Sequence, residues 1–72
     1  GSEAMKLLLQ FGFNRLNLNR IFLQVFSTNS RGIRVYEKVG FKHEGRLRQD
    51  LFKNGKYLDV LIMGILRSEW EN

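Results

Sequence analysis

Three residues in the stretch NSRGIRVYEKVGF, Asn29 to Phe41, have the types and spacing for a small polar site. Asn29, Gly32 and Tyr36 follow at intervals of three and four, which places them on one face of a helix. An amide offers both a donor and acceptors. A phenol held at hydrogen-bond distance can give its proton to a leaving atom. Each residue also has a plainer use. Asn29 is a good helix N-cap. Gly32 can be a tolerated poor helix former, at about 1 kcal/mol relative to Ala. A helical Tyr often serves packing alone, and on spacing by itself both readings stand. The other candidates are thinner. His43 is the lone His and, by its alternation in a strand, reads as structural. With no Cys, one His and scattered carboxylates, no metal set is expected.

The elements that must position these residues can be read from pattern. GSEAMKLLLQFGF reads as a helix with Ser2 as N-cap and Glu3 in the first turn, where the helix dipole favours an anion. Met5, Leu8 and Leu9 mark one side, while Ala4, Leu7 and Phe11 fill much of the rest. Such a helix needs cover on more than one side. Fraying is expected near Gly12 and Asn14. RIFLQVF, Arg20 to Phe26, is a strand apolar on both faces. Asn29 then caps a helix over Ser30 to about Lys38, which stops at Gly40.

Two further strands flank Asn54-Gly55, the two-residue signal for a tight hairpin. In that register Phe52 opposes Tyr57, Asp50 opposes Asp59, Leu47 opposes Ile62 and Gly45 opposes Gly64. Leu47, Leu51, Leu58, Val60 and Ile62 then form the apolar face. Opposed carboxylates repel unless a cation sits between them. Arg48 is the expected cation, with a substrate amine as the alternative. The order is helix, strand, helix, strand, strand: an α+β (α/β) arrangement ending in a β-hairpin. The Ile21–Phe26 strand has no evident second neighbour in the chain, and an apolar edge invites pairing with another chain.

Seventy-two residues make one small domain at most, and a chain this short buries only about 60% of its unfolded surface. Without Cys or a metal set, oligomerisation is the remaining aid. The net charge of +5 is dispersed, which suits a solvated basic surface or an anionic small ligand better than nucleic acid. No apolar run approaches the roughly 20 residues of a membrane span. With no signal-peptide pattern either, a cytoplasmic location is expected.

Nearly the whole chain resembles the C-terminal half of a GNAT N-acetyltransferase, most closely the branch acting on ribosomal-protein N-termini and polyamines. The specific portion is Asn-x-x-small-x-x-x-Tyr-Glu-Lys-x-Gly-Phe, here Asn29, Gly32, Tyr36, Glu37, Lys38, Gly40 and Phe41. The hairpin turn NGKYLD strengthens the match. The family's pyrophosphate loop lies just before the first helix, and only its last glycine could correspond, to Gly1. Residues 1–72 are therefore expected to be a partial GNAT domain, without that loop and without the N-terminal half.

The resemblance implies acetyl-CoA as acetyl donor, no metal, and a primary amine as acceptor: a protein N-terminus, a polyamine or a similar small amine. Tyr36 is implied as the acid that protonates the departing sulfur. Gly1, Ser2, Asn29, Arg31, Gly32 and Tyr36 are the implied cofactor-binding residues. Gly1 and Ser2 open a helix whose free N–H groups suit a pyrophosphate. Arg31 and Lys38 could approach phosphates, although solvated surface charge is the plainer reading. The isolated chain is expected to have little or no turnover and to form a homodimer or swapped oligomer. The alternative is a non-catalytic oligomeric or interaction module.

Overall fold

The computed structural model describes residues 2–71. Its first element is α1 (Ser2–Gln10), with Glu3 in its opening turn. The helix does not fray at Gly12. It continues as a five-residue π-helical turn, Phe11–Arg15, in which the Leu16 N–H reaches back to Phe11 O at 3.1 Å. The wider turn leaves Phe11 outside while Leu9 and Phe13 both point inward, at 1% and 0% exposure. Ser2 is the first helical residue, and Gly1 lies outside the described residues.

The strands are β1 (Arg20–Phe26), β2 (Lys42–Lys53) and β3 (Lys56–Leu66), and α2 (Ser30–Val39) lies between the first two. The Asn29 side chain accepts the Gly32 N–H at 3.0 Å, which satisfies one of the orphan donors of α2. At the other end Gly40 takes φ 122°, and its N–H and that of Phe41 return to the last carbonyls of the helix. The Asn54-Gly55 turn has φ of 54° and 77°, as a type I′ hairpin requires. Arg67–Trp70 form a short closing helix, α3, which the sequence pattern did not suggest. Trp70 lies against Phe13 with ring centroids 5.0 Å apart, and the Arg67 guanidinium donates to Phe13 O at 2.7 Å.

The sheet order is β1-β3-β2, and both pairings are antiparallel. β1 is an edge strand with one neighbour, so among the described residues it has no second neighbour, as expected. It pairs with β3, Phe26 opposite Val60 through to Arg20 opposite Leu66. The hairpin thus carries the strand that separates β1 from β2. The outer edge of β1 has no strand beside it among the described residues.

The hairpin register agrees with expectation only at its tip. Phe52 opposes Tyr57, but Leu47 opposes Val60 and Gly45 opposes Ile62, with irregularities between Leu47 and Leu51 and between His43 and Gly45. Extra residues on β2 form bulges, which a turn-based count cannot foresee. Asp50 therefore falls in the bulge, where three residues of β2 share the position of Asp59 and no one-to-one pair with it forms. Val60 is buried as expected, but the rest of the buried face differs. Leu61, Met63 and Ile65 of β3 join Val25, Leu9, Phe13 and Phe41 in the core, while Leu47 and Leu51 stay exposed. Both helices contribute side chains to that face, and burial follows their cover rather than the density of apolar residues along β2. Each fully buried side chain of this set contributes about 1.5–3 kcal/mol.

Candidate active site

Tyr36 sits in the second half of α2, half-buried against the core, with its ring edge-on to Phe41 at 5.9 Å. One flank of the ring is packed while the other borders open space. Among the described residues no hydrogen bond holds its hydroxyl. Two clefts meet at this residue. The first, about 540 Å³, runs between Ala4, Met5 and Leu8 of α1 and Arg31, Gly32 and Val35 of α2. The second, about 380 Å³, lies between Gln24, Val25 and Phe26 of β1 and Asp50, Leu51 and Val60 of the hairpin. Asn29 and Tyr36 line both.

The first cleft has an apolar wall and a polar end. Ala4, Met5, Leu8 and Val35 form the wall. The cleft's polar lining comes from Asn29 and from Arg31 in the first turn of α2. Gly32 has a local reason of its own. A Cβ added there would come within 2.6 Å of Asn29 Nδ2 and 2.9 Å of its Cγ, so the missing side chain makes room for the capping amide. Of the residues that sequence reasoning assigned to cofactor binding, Asn29, Arg31, Gly32 and Tyr36 line this cleft together. Ser2 begins α1 without lining either cleft, and Lys38 lines neither. Met5, Leu8 and Val35 were not assigned. The signal that could have found Met5 and Leu8 was the apolar surface spread around the first helix.

The second cleft depends on the larger β2 bulge. Gln49 takes φ 50°, and its N–H donates to Asp59 Oδ1 at 2.8 Å, while Arg46 Nε donates to Asp59 Oδ2 at 2.6 Å. The Gln49 N–H first, and the Arg46 guanidinium second, hold the Asp59 carboxyl below the usual carboxylate range. The cation partnering Asp59 is thus Arg46, where Arg48 was expected. Asp59 is committed to fixing the bulge, and Asp50 is the one carboxylate lining the second cleft. His43, read from the sequence as structural, has its Nε2 2.8 Å from Glu37 Oε2, an exposed pair joining α2 to β2. Among the described residues no three His, Cys, Asp or Glu side chains gather into a metal-holding group, and no helix is long and apolar enough to cross a membrane.

A family profile described as an acetyltransferase (GNAT) domain matches residues 1–62. The chain belongs to the GNAT acetyltransferase family. It is similar to the spermidine N(1)-acetyltransferase of Vibrio cholerae, with 42% identity over 64 residues, 89% of this chain and 37% of that protein. It is also similar to a putative ribosomal N-acetyltransferase of Bacillus subtilis, 34% identical over 70 residues, 97% of this chain and 38% of that one. Among solved structures, mutant forms of the spermidine/spermine N-acetyltransferase SpeG from Vibrio cholerae superpose with a TM-score of 0.94 at 38% identity, over 100% of this chain and 43% of that one. The chain thus spans about two-fifths of the length of the relatives it matches. The expected GNAT-type α+β fold is confirmed by this superposition.

Proposed function

We propose that these residues form the cofactor-side wall and the proton donor of an enzyme that transfers an acetyl group from acetyl-CoA to a primary amine. The observation that carries this reading is the position of Tyr36, half-buried at the junction of two clefts with an uncommitted hydroxyl. The first cleft suits a ligand with an apolar arm and an anionic end, which describes acetyl-CoA. Asn29 and Gly32 flank the arm, and Arg31 in the opening turn of α2 faces the phosphates. Ser2 contributes through the N-terminus of α1, and Gly1, outside the described residues, keeps its assignment from the family motif. Acetyl-CoA bound there supplies a thioester on which the amine nitrogen forms the new C–N bond as the C–S bond breaks.

Tyr36 holds a proton on its hydroxyl and gives it to the departing sulfur; the proton shed by the amine passes to water. A phenol is a weaker acid than a thiol, with ordinary pKa values of about 10 and 8.5. The transfer is therefore useful only while negative charge builds on the sulfur at hydrogen-bond distance, which is why the position of Tyr36 matters more than its acidity. The second cleft, on the other side of Tyr36, takes the amine.

Residues 1–72 are a partial GNAT domain in this reading. By themselves they supply one wall and have little or no turnover, and robust acetyl transfer by the isolated chain would refute that part. The catalytic assignment is tested in a chimera in which these residues replace the matching segment of the Vibrio cholerae spermidine N(1)-acetyltransferase. Tyr36→Phe keeps the ring packing and should lower kcat by about 10²–10⁴ with KM for acetyl-CoA little changed. A kcat within threefold of the parent chimera removes Tyr36 from the chemistry. A second copy of the chain is the proposed partner, because the exposed Phe22 and the open edge of β1 leave apolar surface uncovered.

A further inference from the structure

We infer that the hairpin tip and the loop ahead of α2 form a binding site for a small oxyanion, a phosphate or carboxylate group held between Lys53 and Lys56. Lys53 closes β2 and Lys56 opens β3, and the two stand directly opposite each other across the Asn54-Gly55 turn. Both line a cleft of about 450 Å³ together with Phe26, Thr28, Asn54 and Leu58. This cleft shares only Phe26 with the one beside Asp50, and Tyr36 does not line it. The site is therefore separate from the residues of the acetyl-transfer reading.

Like charges directly opposed on a strand pair repel and weaken it. Arg20, Lys42 and Arg46 of the same sheet have counter-ions in Glu44, Glu69 and Asp59. Lys53 and Lys56 have none among the described residues, and no carboxylate lines their cleft. An oxyanion between the two ammonium groups turns that repulsion into charge-assisted hydrogen bonds. The Thr28 hydroxyl and the Asn54 amide line the same cleft and have no hydrogen-bond partner among the described residues, so each has a donor to give. The tight turn between the lysines fixes the spacing of their backbones. Lysines at strand ends also discourage pairing with other chains, but that use needs no hydroxyl, amide or floor beside them. Here half-buried Phe26 and Leu58 supply a floor, and Lys53 Nζ lies 5.2 Å from the centre of the Phe26 ring, whose face attracts a cation. An anion carrying a short hydrocarbon body suits that floor.

The test needs no acetyl-CoA, so its failure is separate from failure of the transfer reading. The 72-residue chain is titrated with sodium phosphate and with sodium n-butyrate at constant ionic strength, following the backbone amides of residues 28 and 53–56 by NMR. The shifts should saturate at millimolar anion, and the tighter of the two probes names the group the site prefers. Lys53→Gln and Lys56→Gln should each weaken binding about three- to fivefold, with Lys53→Arg keeping most of it. Lys6→Gln removes the same charge from α1 and should weaken binding less than about 1.5-fold. Linear shifts that never saturate for either anion, unchanged affinity in Lys53→Gln/Lys56→Gln, or an equal loss in Lys6→Gln would each overturn the site. Circular dichroism identical to wild type shows that a loss is not unfolding.

Discussion

The contact between Asn29 and Gly32 makes a sharp test, because one side chain caps α2 and also occupies the space a larger residue at 32 would need. Asn29→Ala removes the 3.0 Å bond to the Gly32 N–H and should cost about 1 kcal/mol. Gly32→Ala introduces a Cβ 2.6 Å from Asn29 Nδ2, closer than van der Waals contact allows, so the amide must swing away and the cap is lost. The same change gains up to about 1 kcal/mol of helix propensity, so the single variant should be near neutral. In Asn29→Ala/Gly32→Ala the cap is already gone, and the propensity gain comes without a clash. The interaction term of the cycle is then about −1 kcal/mol. The propensity contribution cancels from it, leaving only the cap energy.

Urea unfolding read at both far- and near-ultraviolet wavelengths measures the cycle, with unchanged m-values as the control for compactness. For a domain of this size, 1 kcal/mol should appear as about 4–8 °C in Tm. A cycle that closes to within about 0.3 kcal/mol, with Gly32→Ala stabilising by its full propensity value in both backgrounds, would show that Asn29 does not cap α2 in solution.

Other outcomes follow from charges and exposed surface. Asp59 is held low by the Gln49 N–H and Arg46. Glu69 is held low by Lys42, whose Nζ is 2.6 Å away, and then by the Leu66 N–H. Carboxylates with depressed folded-state values contribute stability that is full above their ordinary range of about 4 and is lost as pH falls through the lower folded values. Urea midpoints should thus be flat from pH 7 to about 5 and fall below that, with Asp59→Asn and Glu69→Gln each flattening the fall; a midpoint unchanged down to pH 2 would contradict the pairing. Phe22, 56% exposed beside the open edge of β1, should be at or near the contact between copies. Sedimentation velocity should show Phe22→Lys shifting the chain toward monomer, and a wild-type monomer at micromolar concentration would refute self-association.

Several features were legible in the sequence because they rest on local physics. Asn29 as cap, Gly40 as stop and Asn54-Gly55 as turn are dictated within a few residues of themselves, and each stands where the pattern put it. The α2 face carrying Asn29, Gly32 and Tyr36 was readable from spacing alone, and these residues do share a cleft. What the pattern could not supply was long-range. The pairing of β1 with β3 joins segments far apart in sequence, and nothing local in either specifies it. The bulge between Leu47 and Leu51 was missed because a count from the turn assumes one residue facing one. It is stabilised by the Asp59 side chain, which reaches across to a backbone N–H on the other strand. The π-helical turn was missed because its cause is the inward packing of Phe13 against Trp70, a residue near the other end of the chain.

Of the three described strands, the middle one in the sheet is the last in sequence. Within residues 2–71, β1 and β2 are both made before β3, so neither meets the strand that joins them until the hairpin turn has been passed. Two sticky, hydrogen-bond-hungry ribbons must wait for β3 to arrive and zip them together. Sheet formation in this segment is thereby deferred until β3 is made, and the interval before it is when an unpaired strand can meet a neighbouring chain instead.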